Sequence, residues 1–519
     1  MKRYFNITGA CNPQEHYMVN LDSRLAEIKR MVDAGKYFVI NRGRQYGKTT
    51  TLKALKKYLQ DDYTVISFDF QKDMSELDFK DENNFSISFA HIFVAALKKI
   101  KTIDMEIAQT LLTQIDIWKE RYGLVRLFQG ISEICSSAKQ KIVLVIDEVD
   151  SASNNQVFLD FLAQMRGYYL DRHDTPTFHS VILAGVHDIR NLRQKIRPDA
   201  EHKHNSPWNI ASPFEVDMSF SPNDIAGMLN DYENDHRTGM DIPKISQLIY
   251  DYTSGYPVLV AEFCKSMDEL SDWSSHGIIE ANKQLLIKKT PLFESLIGKL
   301  EDNESLRKLM HGILFKGQKI PYNPDDATID DAFMYGFVKN EHGLIAVSNR
   351  VFEVRIYNWF ISLETTDSLI FAEGVNDKSQ FISGNQLNME LILEKFILHF
   401  NDIYGSQPDK FKEDDGRKLF LLYLRPIING TGNYYIEAQT RDQRRTDVIV
   451  DYLGKQYIIE LKIWHGDEYN TQGEKQLSEY LDYYHIDKGY LLSFNFNKNK
   501  QSGIHTIELN GRTIVEGVV

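Results

Sequence analysis

Tyr37-Phe38-Val39-Ile40-Asn41-Arg42-Gly43-Arg44-Gln45-Tyr46-Gly47-Lys48-Thr49-Thr50 is the stretch on which the reading of the chain turns. Four apolar residues predict a short buried strand, Gly43 and Gly47 break the pattern, and helical spacing resumes from Thr50. A strand, a glycine loop and a helix opening at Lys-Thr form the layout of a phosphate-binding loop. Glycine lets successive N–H groups turn inward, and the helix N-terminus adds the positive end of its dipole. Lys48 would neutralise β/γ-phosphates, the Thr49 hydroxyl would bind Mg²⁺, and residues 42 to 50 would line the cradle. The usual spacing puts a glycine five residues before Gly47, where this chain has Arg42. Taken alone, Gly-Lys-Thr after an apolar run also fits an ordinary turn and helix start.

A second stretch breaks the tie. In Lys141-Ile-Val-Leu-Val-Ile-Asp147-Glu148-Val149-Asp150, five apolar residues end in paired carboxylates. An all-apolar strand is buried on both faces, and acids at its C-terminal edge stand where open α/β sheets bind ligands. Asp147 would hold Mg²⁺ through water and Glu148 would polarise the attacking water. Further buried strands are expected at 63–70 and 178–186, with helices at 21–34, 85–100, 104–119 and 123–138. The helix at 21–34 would cover the nucleotide base or serve only as packing. At the end of the 178–186 strand, His187 is a γ-phosphate sensor or a turn residue. Arg190, Arg193 and Arg197 follow as arginine-finger or solvated positions.

The whole chain sets limits on these readings. With 519 residues, 42% hydrophobic and 26% charged, it has a globular composition and room for two to four domains. A net charge of -13 excludes nucleic-acid binding by bulk electrostatics, so DNA contact requires a local patch. Cys11, Cys135 and Cys264 are too few and scattered for a disulfide framework or zinc site. The absence of a long apolar run or leader pattern reads as a cytoplasmic protein without membrane partners.

From 206 to 272 the pattern becomes helical, with Gly255-Tyr256-Pro257 opening a helix at 258–267. With these residues the first 360 positions resemble the AAA-ATPase-like family of bacterial proteins, related to archaeal-type and STAND ATPases. That resemblance implies an R-x-x-x-x-G-K-[ST] loop, which accounts for Arg42, an apolar strand ending Asp-Glu, and a G-x-P turn in a helical lid. It also implies a winged-helix module, for which 335–349 and the apolar helix 351–360 are candidates. An internal regulatory contact suits this module better than DNA reading, because few basic residues accompany it.

The second candidate site lies at Arg445-Thr-Asp447-Val-Ile-Val-Asp-Tyr-Leu-Gly454-Lys455-Gln-Tyr-Ile-Ile-Glu460-Leu-Lys462. Two apolar runs around Gly454-Lys455 predict a two-residue hairpin in which Leu453 faces Gln456, Ile449 faces Glu460 and Asp447 faces Lys462. Alternation puts Asp447, Glu460 and Lys462 on one face, with Val448, Val450, Ile459 and Leu461 on the other. Two carboxylates and an ammonium suit metal-assisted phosphodiester cleavage: the acids hold Mg²⁺ or Mn²⁺ and the lysine stabilises developing charge. A salt-bridged pair on a solvated face is the alternative. Gln476 and Tyr480 on a following helix, then a strand at 489–494, make residues 385–500 resemble the PD-(D/E)XK nuclease superfamily, specifically RecB-type members with a Q-x-x-x-Y helix. The resemblance implies a glutamate from the first helix in the metal set, Glu394 with Glu390 behind it. Arg441, Arg444 and Arg445 form the candidate phosphate patch for DNA or RNA.

The expected architecture is α/β. A P-loop NTPase core with a parallel sheet (1–205) precedes a helical lid (206–290), a winged-helix-like module (291–361), a linker (362–380) and a restriction-endonuclease-like domain (381–519). The expected activity is an ATPase using ATP and Mg²⁺, coupled to a metal-dependent DNA nuclease, with scope for a homo-oligomer. The alternative is a STAND-like signalling ATPase whose C-terminal domain binds nucleic acid or a protein without cutting.

Overall fold

The computed structural model describes the chain except residues 1–2, 101–104, 153–154, 186–207, 317, 365–367, 384–385, 406–410, 412, 429–431, 440–444, 453–454, 464–473, 475–476, 479–480, 482–485 and 498–499. It falls into two compact units. The first is Met1–Trp273 with Asp330–Phe337, and the second is Ser274–Ile329 with Val338–Val519. The helices read as a lid therefore divide at 273, those before it belonging with the nucleotide core.

In the first unit, β1 (Tyr37–Asn41), β2 (Thr64–Asp69), β3 (Ile142–Asp147) and β4 (Ser180–Gly185) form an all-parallel sheet in the order β1-β4-β3-β2. Beside β1, Ser212 makes a single parallel bridge to Phe38. The apolar runs bury both faces. Phe38, Ile40, Val143, Val145 and Ile182 enter one core with Leu25, Ile28, Leu52 and Leu55 from helices Asp22–Asp33 and Lys48–Leu59. Tyr37, Val39, Leu144, Ile146 and Leu183 enter the other core. There they meet Phe85, Phe89, Leu127, Phe128, Phe158 and Phe161 from helices Glu82–Lys98, Leu124–Ser137 and Gln156–Leu170. Each ring removed from water this way contributes about 2–3 kcal/mol. Helices Pro222–His236, Ile242–Thr253 and Pro257–Leu270 follow, each with proline in its first turn.

The second unit opens with helices Ser275–Ile287, Pro291–Asp302 and Glu304–Lys316. The stretch read as a wing contains the hairpin β5 (Val338–Glu341) and β6 (Leu344–Val347), followed by helix Arg350–Glu364. The stretch 362–380, read as a linker, carries the helix Leu369–Asp377. The short pair β7 (Ile382–Ser383) and β8 (Gln386–Leu387) leads to helices Met389–Tyr404 and Glu413–Ile428. A six-stranded mixed sheet completes the unit. Its strands are β9 (Gly432–Gln439), β10 (Arg445–Tyr452), β11 (Lys455–Ile463), β12 (Lys488–Phe494), β13 (Gly503–Leu509) and β14 (Arg512–Val518). Their order is β13-β14-β12-β11-β10-β9.

The β10–β11 hairpin corrects the expected register. Tyr452 pairs with Lys455, Asp451 with Gln456 and Ile449 with Ile458, so Lys455 belongs to the second strand and not to the turn. The physical reason is matching across the ladder. The observed pairing sets Asp451 against Gln456 and Ile449 against Ile458, where the expected one set Asp451 against Ile458 and Ile449 against Glu460. A shift of two residues preserves the faces. Continued by one pair, the register sets position 447 across from Glu460 instead of Lys462.

Candidate nucleotide site and a second polar face

The loop after β1 turns through Gln45 at φ 56° and Gly47 at φ 80°. A Cβ on Gly47 would meet nothing within 4 Å, so its left-handed backbone alone calls for glycine. Gly43 is tightly placed for a different reason. Its φ is ordinary, but a Cβ there would lie 3.2 Å from the Tyr256 hydroxyl and 3.2 Å from the Tyr335 carbonyl oxygen. Helix Lys48–Leu59 starts at the loop's end, with its first amides directed into the cradle.

Lys48 is only 8% exposed, and its Nζ donates to the carbonyls of Arg42 at 2.8 Å and Gly43 at 3.1 Å. Burial pushes its pKa down, against the opposing pull of Glu148, Asp150 and Asp147. Thr49 Oγ1 donates to Asp147 Oδ2 at 2.8 Å, which ties the loop to the end of β3. Asp147 Oδ1 accepts from the Glu148 amide at 3.0 Å. Burial raises the pKa of both acids, with Asp147 adding to the effect on Glu148. Glu148 itself has φ 52°, a left-handed backbone held where Ser151 Oγ donates to its carbonyl at 2.9 Å. The hydroxyl of Thr49 and the carboxylate of Asp147 are hard oxygen donors 2.8 Å apart, a set that fits Mg²⁺.

Several expected contributors take other places. Arg42 donates to the carbonyls of Asn41 at 2.9 Å and Val216 at 3.2 Å and lies over the Phe214 ring, so it braces the 214–216 segment. Thr50 Oγ1 accepts from the Cys11 amide at 3.1 Å. Arg44 and Gln45 are exposed at the loop's rim. His187, Arg190, Arg193 and Arg197 lie outside the described residues. The sequence reading missed Asp150, whose carboxylate packs on Gly185 so closely that a Cβ there would be 2.9 Å from Oδ1. It also missed the contact of Tyr256 with the loop. No periodicity signals either one, since both depend on how distant segments meet.

In the second unit, Glu460 pairs with Leu491 and Lys462 with Ser493 across β11–β12, and Leu491 pairs with Glu516 across β12–β14. These residues therefore share one face. Glu460 is fully buried, and its Oε1 lies 2.9 Å from Lys462 Nζ. Ser493 Oγ donates to Glu516 Oε1 at 2.6 Å. Glu474 stands near enough to Glu516 that its pKa is raised, first by burial and then by that charge. The face that the alternative reading had as solvated is a covered one, with Leu477 and Leu481 packed over Gly489.

Glu394 is not brought to this face. It is exposed on helix Met389–Tyr404, whose Ile397 and Phe400 pack on Gly517 and Phe494, the other side of the sheet. Glu390 pairs with Lys488 at the start of β12. Asp447 and Arg445 are placed in β10 by backbone alone, and Arg441, Arg444, Gln476 and Tyr480 lie outside the described residues. Among the described residues no group of three or more His, Cys, Asp or Glu could hold a metal ion.

A parallel sheet with a glycine loop after β1, and with Lys48, Thr49 and Asp147 converging at its C-terminal edge, defines an α/β P-loop ATPase-like fold. The chain belongs to the AAA-like domain family, whose sequence profile matches residues 14–355. Its fold is similar to the Walker-type ATPase PABY2304 of Pyrococcus abyssi, at 13% identity over 68% of this chain and 99% of that one, with a TM-score of 0.44. It is also similar to the ORC2 protein of Aeropyrum pernix in ADPNP–ADP complexes, at 11% identity over 66% and 94% of the two chains, with a TM-score of 0.32. The ORC1 protein of the same organism in complex with DNA matches at 10% identity over 67% and 94%, with a TM-score of 0.28. No curated protein sequence matches the chain. No described helix is long and apolar enough to cross a membrane.

Proposed function

We propose that the chain binds and hydrolyses ATP with Mg²⁺ in its first unit and cleaves DNA with Mg²⁺ or Mn²⁺ in its second. The observation that supports the first half is the 2.8 Å contact from Thr49 to Asp147 beside a buried Lys48. Lys48 would leave its loop carbonyls for phosphate oxygens. Helix amides would hold the rest of the phosphate charge, and Glu148 would orient the attacking water and take its proton. The bound ion would supply charge neutralisation between the phosphates. Lys48→Ala is expected to lose about 10²-fold in nucleotide affinity, ~2.7 kcal/mol. Glu148→Gln is expected to bind ATP normally and fail to turn it over, because it acts only on the water. Calorimetry and phosphate release measure both, and tight ATP binding by Lys48→Ala would remove the assignment.

Support for the second half is the ion pair of buried Glu460 with half-buried Lys462, with position 447 across the ladder. Glu460 would contribute hard oxygen ligands and Lys462 would face the developing charge on phosphate. The metal would supply Lewis-acid polarisation. Purified protein should cut plasmid or linear DNA only with a divalent cation, and Glu460→Gln should not. The burial of the same ion pair favours a second reading, in which the sheet face is structural and the chain is a signalling ATPase. Failure of the wild type to cut DNA or RNA with either metal would select that reading.

A further inference from the structure

The phosphate loop is gripped from outside by one side chain of the lid. Tyr256 OH donates to the Arg44 carbonyl at 2.5 Å. The ring of Tyr256 meets that of Tyr46 edge-on, with centroids 4.6 Å apart. The same hydroxyl stands over Gly43, 3.2 Å from where a Cβ would lie. One tyrosine therefore touches the loop at its start, its outer carbonyl and its last residue before Gly47.

Tyr256 is itself rigidly held. Gly255 sits at φ 72°, and its carbonyl accepts from the Phe220 amide at 2.8 Å. The Tyr256 amide donates to the Thr253 carbonyl at 3.0 Å, and Pro257 begins the next helix. The phenol is 2% exposed. Nothing about this arrangement is needed merely to bury an aromatic ring, for which phenylalanine would serve. Arg42 occupies the position of the usual first glycine and is spent on the 214–216 carbonyls, so the loop's outer arm depends on support from elsewhere.

We infer that Tyr256 is a positioning residue of the nucleotide site, its hydroxyl holding the outer arm of the phosphate loop in the shape that receives phosphate. Arg44 points its carbonyl outward to Tyr256, which leaves the amides of the following residues free to face inward. Without the brace, the free loop samples other shapes and nucleotide binding has to order it. Because the hydroxyl belongs to the turn between two lid helices, loop shape and lid position become one equilibrium.

The inference rests on the P-loop reading, and the experiment separates the two. In the full chain, Tyr256→Phe keeps the ring contact with Tyr46 and removes only the hydrogen bond. Its affinities for MgADP and MgATP should each fall about fivefold, with kcat at saturation within about twofold of wild type. Hydrogen exchange at residues 43–48 should also quicken. Unchanged affinities, or a lower melting temperature with unchanged affinities, would overturn the brace while leaving the ATPase reading intact. A wild type that binds neither nucleotide would overturn the reading itself. If Tyr256→Phe does not fold, wild-type hydrogen exchange decides. MgADP should protect residues 253–258 together with 43–48, and protection of 43–48 alone would overturn the inference.

Discussion

Glu148 combines three costs at one position: a left-handed backbone, partial burial and the adjacent charge of Asp147. Its carboxyl titrates above the ordinary range because burial, then Asp147, disfavours the ionised form. Below the unfolded pKa both states are protonated and Glu148 contributes nothing to stability. As pH rises through the raised folded value the ionised form costs stability, and above it the cost is constant. Glu148→Gln should therefore match wild type in acid and exceed it above the carboxylate range. Thermal melts of the nucleotide-free protein across pH measure this, following the transition that ADP shifts. A gain present equally at acid pH would assign the effect to the backbone instead. The acidic pair Asp147-Glu148 was legible in sequence because five apolar residues before two acids admit little besides a buried strand. Arg42 was not, since a guanidinium beside a phosphate loop and one turned onto carbonyls have the same sequence.

Among the elements, those with long apolar runs or clear period were legible, and β1, β3, β4 and the helix Leu124–Ser137 stand close to their expected bounds. Helix Leu369–Asp377 was hidden because two of its three buried positions are not apolar: Ile370, Gly374 and Asp377. Asp377 is buried by pairing, its Oδ2 lying 2.7 Å from His399 Nε2 and accepting from Tyr423 OH at 2.8 Å. Burial works against the Asp377 carboxyl, but His399 and Tyr423 hold its pKa below the usual range. Strand β13 was hidden by exposure, since an edge strand with one covered side carries little apolar signal. The lid turn shows the opposite case, where sequence named the glycine and structure supplies its reason. A Cβ on Gly255 would lie 2.1 Å from the Phe220 carbonyl oxygen at φ 72°. Gly255→Ala should cost about 3 kcal/mol in the first unit by chemical denaturation. A loss below about 1 kcal/mol would show that the turn relaxes freely.

At the scale of the molecule, the two polar sites belong to separate compact units, Lys48 and Asp147 in one and Glu460 and Lys462 in the other. A change at Glu460 should therefore leave ATP turnover within about twofold while altering the second unit alone. What Glu460 does there is decidable by setting stability against cleavage. Lys462→Ala removes the cation beside a fully buried carboxylate and should destabilise the second unit by about 3 kcal/mol. Replacing both members, Glu460→Gln with Lys462→Met, keeps the volume and removes both charges, so most of that loss should be recovered. A structural ion pair predicts that every function of the chain recovers with stability. The proposed nuclease predicts divergence, with folding restored and DNA cleavage still down about 10²-fold or more, since neither metal ligand nor transition-state cation returns. Single-turnover cleavage beside equilibrium denaturation of the full chain separates the two. Cleavage that returns with stability would leave the sheet face a buried salt bridge and move the function of the second unit to binding.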